Sequence, residues 1–352
     1  MPEGHTVHRL ARAFADLFGG QALAVTSPQG RFAAGASLVS GRVLVASEAW
    51  GKQLFLGFAP AGSRSSGAGS RDPGPEMQPE LWLRVHLGLY GAWTFATDGS
   101  ADVVHAIGAP RKRVGESETP LPEEAEPRDG EAWDVPGPRG AVRARLLGAH
   151  AVADLTGPTA CEVITPADKA AVEARLGPDP VRPDGGRASL AEARAAFVAT
   201  VRRSRVVVGQ QLMDQAVVAG VGNIYRAEAL FRAGLDPMRP GRDVDPAVLG
   251  DVWDDLVLLM HDGVARGAIV TTRPEDRGPD APGIRAAGGA AALGATTRRH
   301  ERRAPVPPGA VAREESFYVY QRDGLPCRVC GTPVLVKDLA GRSLYWCGVC
   351  QA

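Results

Sequence analysis

The sequence predicts an α+β multidomain protein, in which a leading helix and an antiparallel β-sandwich precede a helical domain and a terminal cysteine hairpin. Short β-like runs separated by glycine-rich breaks fill residues 22–155, which is typical of a sandwich. The apolar periodicity becomes helical after about residue 160. Four of the 5 cysteines form two pairs near the carboxyl terminus. A chain of 352 residues is long enough to bury several such cores.

Apolar residues recur at helical spacing from Val7 to Phe18, so a helix is predicted to begin just after Pro2 and Glu3. A residue as small as Pro2 lets the initiator methionine be removed, which would expose a secondary amine. The pKa of an α-amino group, about 7.7–8.0 against about 10.4 for lysine, makes it the better nucleophile near neutral pH. Attack on an aldehyde would give a cationic iminium, with Glu3 beside it as proton donor or acceptor. The alternative is that Met-Pro reports only processing.

The sandwich is predicted from six strand-like runs, at 42–47, 53–58, 81–86, 92–96, 142–146 and 151–155. Lys52, one of only 4 lysines, stands at the turn that enters the second run, where it could hold a phosphate or move a proton. An ordinary exposed lysine is the alternative. Leu89 and Tyr90 occupy a glycine-flanked tip after the third run, which could insert between base steps of a nucleic acid. A hairpin packed into the core would explain them equally well.

Changes in composition set the predicted domain boundaries. The sandwich domain spans residues 1–156, with surface insertions at 61–80 and 108–140. The helical domain spans residues 157–273, a low-complexity insertion spans 274–312, and the cysteine module spans 313–352. Five helices are predicted after residue 157, at 166–176, 190–203, 210–218, 224–233 and 246–266.

The formal net charge is zero, but the charge is unevenly distributed. Residues 187–242 contain 9 arginines and 4 acids, a local charge of +5, and residues 298–352 contain 9 basic residues and 5 acids, a local charge of +4. An acidic stretch at 114–135, with 8 acids and one arginine, masks these regions in the total. A nucleic-acid partner requires basic regions of this kind, although two solvated arginine-rich surfaces would give the same counts.

The segment from Leu212 to Tyr225 contains Gly220-Val221-Gly222-Asn223 between two predicted helices. Its glycines let the backbone approach a ligand closely, and Asn223 is placed as the N-cap of the second helix. The Asn223 side chain and the free amides of that helix would then face outward and bind a DNA phosphate. A helix–turn–helix junction without a ligand would need the same residue types.

The strongest single signal is Cys327-x2-Cys330-x16-Cys347-x2-Cys350, which is the spacing of a closed, four-thiolate structural Zn²⁺ site. Arg342 is predicted near the tip of the hairpin between the pairs, where a guanidinium suits a phosphate; a solvated turn residue is the alternative. The sequence has no apolar run of about 20 residues and no secretory signal, so a cytoplasmic protein without a membrane segment is expected. Paired cysteines in such a protein indicate metal binding, not disulfides.

These motifs together resemble the formamidopyrimidine-DNA glycosylase/endonuclease VIII family of base-excision repair enzymes. The resemblance covers the Pro2-Glu3 start, Gly51-Lys52, the Leu-Tyr-Gly tip, the Leu212–Asn223 segment and the cysteine hairpin, in the family's order and spacing. Pro-Glu-Gly, Gly-Lys-x-Leu, Leu-Tyr-Gly and Tyr-Trp-Cys look more like the endonuclease VIII branch, which implies oxidised pyrimidines as substrates. The fold that the resemblance implies has a helix–two-turns–helix motif in the helical domain and a zinc finger at the end.

The resemblance implies a bifunctional DNA glycosylase/AP lyase, expected to be a monomer that acts on damaged DNA at the bacterial nucleoid. Pro2 would attack C1′ of the damaged nucleotide and form the Schiff base. Glu3 would donate the proton that assists ring opening. Lys52 would take part in β-elimination and contact a phosphate, and Arg342 would support δ-elimination.

Four further residues match DNA-contacting positions of the family. Arg175, in Arg-Leu-Gly-Pro-Asp, and Asn223 would bind phosphates. Leu89 and Tyr90 would fill the gap that a flipped base leaves. One structural Zn²⁺ would be held by the four cysteines.

Two positions depart from the family's pattern. The family usually has Glu where this chain has Thr6, and endonuclease VIII has Gln where this chain has Gly88. These differences leave room for an AP lyase with weak base excision. A zinc-dependent protein that binds damaged DNA without chemistry is the alternative from another class.

Overall fold

The chain folds as two compact units, residues Met1–Arg175 and Leu176–Ala352. The computed structural model describes residues 2–61, 77–101, 106–108, 133–287 and 310–352. Most of each predicted insertion therefore lies outside the described residues, and so does nearly all of the acidic stretch at 114–135. Within the described ranges, no helix combines the length and the apolarity that crossing a membrane requires.

The first unit opens with helix α1 (Gly4–Phe18), where the sequence periodicity predicts it. One face of α1 is almost completely buried, with at most 2% exposure at Val7, Leu10, Phe14 and Phe18. The Phe14 ring meets Trp93 edge-on, with ring centroids 4.7 Å apart. This packing fixes the start of the helix, and with it Pro2 and Glu3, against the sheets that follow.

Nine strands form the sandwich of the first unit within the described residues. They are β1 (Ala24–Thr26), β2 (Val43–Trp50), β3 (Gln53–Ala59), β4 (Leu81–His86), β5 (Ala92–Thr97), β6 (Ala106–Gly108), β7 (Val142–Leu147), β8 (Ala151–Thr156) and β9 (Ala160–Ile164). They make one five-stranded sheet, in the order β1-β7-β8-β5-β6, and one four-stranded sheet, in the order β2-β3-β4-β9. A single apolar core joins α1 to both sheets through residues such as Leu56 and Phe95. The predicted antiparallel sandwich with a leading helix is confirmed.

Two more helices, α2 (Ala33–Val39) and α3 (Pro166–Glu173), belong to the first unit. Lys169 of α3 is buried over the sheet, with Nζ 4.5 Å from the centroid of the Trp82 ring. The same nitrogen lies 2.9 Å from Glu48 and 2.6 Å from Glu173. Two carboxylates and an aromatic face thus compensate the desolvated ammonium and fix α3 on the sheet.

The second unit is mainly helical, as predicted. Its helices are α4 (Leu190–Arg202), α5 (Val208–Gln211), α6 (Asn223–Arg232), α7 (Pro246–Arg266) and α8 (Pro282–Ala286). The predicted helix at 210–218 is wrong, because only the single turn of α5 forms there. The Asp214 carboxylate accepts from the Ala216 N–H at 2.9 Å and the Gln215 side chain accepts from the Gly220 N–H at 3.0 Å. Such local bonds replace the helical ones and produce two successive turns.

The cysteine module forms the predicted hairpin from β10 (Leu335–Leu339) and β11 (Arg342–Trp346). Ala340 and Gly341 connect the strands with φ of 53° and 73°, the left-handed geometry of a tight two-residue hairpin. The module is not packed only on itself, because Ala227 and Phe231 of α6 share an apolar cluster with Cys327 and Cys347. The second unit therefore has a core that includes the metal-ligand candidates.

Candidate active site and nucleic-acid interface

Pro2 and Glu3 are buried at the entrance to α1. Glu3 is the N-cap residue by backbone geometry, and its carbonyl accepts from the Thr6 N–H at 3.0 Å. Its side chain makes no capping bond and is fully buried. The fold thus holds a carboxyl group inside the protein, one residue from the predicted nucleophile. This position suits an acid or base that must act on one particular group.

His5 and Thr6 follow directly, and both side chains are buried. The His5 Nε2 lies 3.2 Å from the Thr6 Oγ1. Burial, followed by nearby positive charges that include Arg9, lowers the pKa of His5 to about 3, so the imidazole is neutral at physiological pH. Where the family usually has a carboxylate, this chain therefore has a neutral hydroxyl–imidazole pair. His5 was not among the residues predicted to form the site, although it stands in the first turn beside Glu3.

The depressed pKa of His5 makes stability depend on pH. The unfolded chain takes up a proton at His5 below about pH 6.5, whereas the folded chain does so only near pH 3. As the pH is lowered from about 6.5 toward 3, protonation of His5 in the unfolded chain should therefore reduce the free energy of unfolding by about 1.4 kcal/mol for each pH unit. Urea unfolding of His5→Asn between pH 7 and pH 4 should show a shallower fall than wild type. His261→Asn, at an exposed position on α7, is the control; equal slopes for wild type and His5→Asn would contradict the prediction.

Lys52 occupies the predicted turn between β2 and β3. Trp50 and Gln53 are cross-strand partners, so Gly51 and Lys52 form a two-residue connection, with φ of 57° at Gly51. Gln53 in turn pairs with His86 of β4. Burial is the first cause that lowers the pKa of His86, and the Lys52 charge is the second. Lys52 and His86 therefore lie close together at one end of this sheet, and His86 joins the candidate site as a residue that sequence reasoning missed.

Leu89 and Tyr90 lie at the tip between β4 and β5, with 37% and 69% of their surfaces exposed. Leu87, which is 2% exposed, anchors the turn in the core. The alternative of a tip packed into the core does not describe these two side chains. Gly88 has φ of +66°, and a Cβ there would stand 1.8 Å from the Thr159 Oγ1. The glutamine of endonuclease VIII has no room at this position unless Thr159 moves.

Arg175 is exposed and lies at the end of the first unit, where its N–H donates to the Val172 carbonyl at 3.2 Å. It closely follows α3, the helix that Lys169 fixes on the sheet. Its position is therefore set by a rigid element, while its guanidinium remains accessible to solvent.

Asn223 differs from the prediction in two respects: Gly222, not Asn223, is the N-cap of α6, and the Asn223 side chain is buried instead of facing outward. Gly222 has an extended backbone, so the helix begins one residue earlier than predicted for an Asn cap. The Asn223 side chain is only 7% exposed, and its Nδ2 donates to the Ser343 carbonyl of β11 at 2.9 Å. The side chain is thus held toward the hairpin, while the amino-terminal end of α6 keeps the orientation that favours an anion.

Arg342 is the first residue of β11, is exposed, and pairs with Leu339 across the hairpin. Because Ser343 is its neighbour, the bond from Asn223 to Ser343 brings the Gly-Val-Gly-Asn turn next to the strand that carries Arg342. The second unit therefore joins two of the predicted phosphate-contacting residues in one place.

The four cysteines of the module converge as the spacing predicts. Their sulfur atoms all lie within 4.8 Å of one another, with Cys327 Sγ 3.9 Å from Cys350 Sγ and Cys330 Sγ 3.5 Å from Cys347 Sγ. Tetrahedral Zn²⁺ with Zn–S bonds of about 2.3 Å requires sulfur separations of about 3.8 Å. The donor set and its dimensions fit a structural zinc ion, and four protein ligands leave no open position for a substrate.

Two family models match the second unit. Residues 176–274 match the formamidopyrimidine-DNA glycosylase H2TH domain, and residues 324–352 match the zinc finger found in FPG and IleRS. These matches place the helix–two-turns–helix segment and the cysteine hairpin in the regions where the structure has them. They show that the second unit has the helix–two-turns–helix domain of formamidopyrimidine-DNA glycosylase and a zinc finger of the type found in FPG and IleRS.

Relatives extend the assignment to the whole chain. The protein named Endonuclease 8 1 of Mycobacterium tuberculosis (strain H37Rv) is 39% identical over 352 residues, which is all of both chains. Formamidopyrimidine-DNA glycosylase of Geobacillus kaustophilus is 34% identical over 185 residues, 53% of this chain and 54% of the relative. The chain belongs to the formamidopyrimidine-DNA glycosylase/endonuclease VIII family.

Solved structures share the fold. A Lactococcus lactis Fpg mutant in complex with THF-containing DNA aligns with a TM-score of 0.63 at 18% identity, over 99% of both chains. The MutM (Fpg) protein of Thermus thermophilus aligns with a TM-score of 0.59 at 23% identity, over 99% of this chain and 98% of the other. At identities this low, these structural matches show a shared fold and do not assign the chemistry of individual residues.

Proposed function

We propose that this DNA glycosylase is bifunctional: it removes oxidised bases, preferentially pyrimidines, and then cleaves the strand as an AP lyase by β,δ-elimination. The observation that carries the proposal is the similarity to a protein named Endonuclease 8 1 along the full length of both chains, whereas the formamidopyrimidine-DNA glycosylase relative matches only about half. The buried Pro2-Glu3 pair supports the chemistry.

The reaction proposed for the first unit begins at Pro2. With Met1 removed, the neutral proline nitrogen attacks C1′ and displaces the base, which takes up the proton that the nitrogen loses. Glu3 then protonates the sugar ring oxygen, the bond between C1′ and that oxygen breaks, and the iminium forms between the proline nitrogen and C1′ as the ring opens. The positive iminium then withdraws electrons, a proton leaves C2′, and the 3′ C–O bond breaks in β-elimination. Lys52, with His86 beside it, is proposed to hold the phosphate that departs.

Binding is proposed to use exposed cations and the exposed tip. Arg175, the amino-terminal end of α6 at Asn223, and Arg342 contact phosphates, with Arg342 favouring the second elimination. Leu89 and Tyr90 enter the gap in the helix while the damaged base is flipped out. One Zn²⁺ holds the hairpin that carries Arg342, and we assign it a purely structural role. The enzyme is proposed to work as a monomer on damaged DNA at the bacterial nucleoid.

A second candidate, an AP lyase with weak base excision, is favoured by a specific observation. The His5–Thr6 pair stands where the family usually has a carboxylate, and the turn at Gly88 has no room for the glutamine of endonuclease VIII unless Thr159 moves. Both differences bear on base removal and on occupation of the vacated helix. Neither affects the amine that forms the Schiff base.

One assay separates these candidates. Duplexes and single strands that contain an oxidised pyrimidine, an oxidised purine or a pre-formed abasic site are incubated with enzyme, with and without borohydride. We expect covalent trapping on abasic and pyrimidine-lesion DNA, and products of β,δ-elimination. Nicking of abasic DNA without release of any damaged base would favour the second candidate. Binding without trapping on any substrate would overturn both, and a retained Met1 in the intact mass would explain it.

A further inference from the structure

We propose that Arg226 is a positioning residue that orients the Asn223 amide and fixes the finger hairpin relative to it, an inference that rests on the proposed roles of Asn223 and Arg342. In the sequence Arg226 reads as one more cation of a basic region. The structure instead places it inside the second unit, with a relative exposure of 0%. A buried guanidinium is held only where its donors meet acceptors, so its partners indicate what it organises.

The guanidinium of Arg226 contacts three separate elements. Its Nη1 donates to the Gly209 carbonyl of α5 at 3.3 Å. Its Nη2 donates to the Ser343 carbonyl of β11 at 3.1 Å and also to the Asn223 Oδ1 of α6. One rigid, planar group therefore joins both sides of the two-turn segment to the strand that begins with Arg342.

The contact with Asn223 determines which way its amide faces. A guanidinium has only donors, so the oxygen of the Asn223 amide must face Arg226 and the nitrogen must face away. One Nδ2 hydrogen then reaches the Ser343 carbonyl, with Nδ2 and O 2.9 Å apart. The other Nδ2 hydrogen is left to donate to an anion at the amino-terminal end of α6. Without Arg226, the amide could rotate and turn its oxygen, which repels phosphate, toward the DNA.

The Ser343 carbonyl accepts hydrogen bonds from both Asn223 and Arg226, so two bonds connect the first turn of α6 to the finger hairpin. Arg342 is the adjacent residue of β11. The positive charge of Arg226 also lies beside the proposed phosphate site, where it favours an anion. Arg226 would thus position two residues at once: Asn223 for phosphate binding and Arg342 for the second elimination.

The test compares Arg226→Met with Arg232→Met, because both remove a guanidinium from α6. Arg232 instead pairs with Asp255, with Nη2 and Oδ1 2.6 Å apart, and its Nη1 donates to the Thr271 carbonyl, away from Asn223 and Ser343. KM and kcat on abasic duplex, the ratio of δ- to β-elimination products, zinc content and melting temperature are measured for each. Arg226→Met should raise KM about tenfold, as expected for loss of a charge-assisted bond, and should lower the δ:β ratio, as we also expect for Arg342→Ala. Arg232→Met should lower the melting temperature while KM and the ratio stay at wild-type values.

A double variant supplies the second readout. If Arg226 acts through Asn223, Arg226→Met should add little to the KM of Asn223→Ala, so that the two effects are far from additive. Should Arg226→Met not fold, Arg226→Lys replaces it, since a single ammonium does not reproduce the planar set of bonds and should change KM and the ratio in the same direction. Wild-type KM and δ:β ratio in the folded Arg226 variant, or additive effects with Asn223→Ala, would overturn the inference. An inactive wild-type enzyme would instead overturn the proposed function.

Discussion

Pro2→Gly is expected to lower borohydride trapping on abasic DNA on the order of 10²-fold, the scale on which a misplaced reacting group loses rate. Glycine keeps an α-amine but loses the ring that is buried at the entrance to α1 and fixes the direction of the nitrogen. Its primary amine also gives an imine that must be protonated before it withdraws electrons, whereas the proline iminium carries its charge permanently. Trapping, multiple turnover and DNA binding are measured on the same preparations.

The matched control for Pro2→Gly is Pro28→Gly, which makes the same substitution in an exposed turn of the same unit. It should trap as wild type does. DNA binding should be similar in all three proteins, because the residues proposed to contact phosphates are unchanged. A Pro2→Gly protein that traps undiminished on both base-damaged and abasic DNA would show that another amine is the nucleophile.

Cys327→Ser should abolish zinc binding and most DNA affinity, and should lower the melting temperature of the second unit while that of the first unit stays unchanged. Structural zinc contributes about 10–16 kcal/mol of apparent binding free energy in isolated fingers, far more than any single contact in a domain core. Here the loss extends beyond the hairpin, because Cys327 and Cys347 share an apolar cluster with Ala227 and Phe231 of α6. Calorimetry with metal analysis should show that the transition of the second unit moves to lower temperature.

Cys161→Ser is the control for loss of a thiol, since Cys161 lies on β9 in the first unit and outside the sulfur cluster. It should keep its zinc and its affinity for DNA. If Cys327→Ser loses zinc but the second unit melts as wild type does, the hairpin is an independent module and the cluster with α6 contributes little to stability.

Much of the fold follows from local patterns that the sequence displays. The buried face of α1 repeats every three to four residues, and α7 occupies the predicted 246–266 because Asp245 caps it and Gly267 ends it. The predicted cysteine hairpin is confirmed. It was predictable because two Cys-x2-Cys pairs that share one metal site must lie side by side, which folds the segment between them back on itself. Short strands such as β1 and β6 were not predicted, because their neighbours in the sheet and not their own composition make them strands.

The candidate site was predictable in its chemistry but not in its contacts. The motif residues Pro2, Lys52 and Arg342 are recognisable by type and spacing, and their roles remain predictions. His86 required knowledge of the strand register that brings it near Lys52. The role of Arg226 could not be predicted without the structure, because an arginine in a basic region is expected to be solvated. Its burial becomes visible only when α5 and β11 are placed around it.

The turn at Gly88 also constrains how this enzyme could diverge. A side chain at position 88 would need left-handed backbone geometry and would collide with the Thr159 hydroxyl, which comes from a distant part of the chain. A change from Gly88 to glutamine alone would therefore disturb the tip that presents Leu89 and Tyr90. The two positions are therefore coupled: a side chain at position 88 requires Thr159 to move or to be replaced by a smaller residue. Among descendants of this sequence, a side chain at position 88 should accompany a reduced one at position 159.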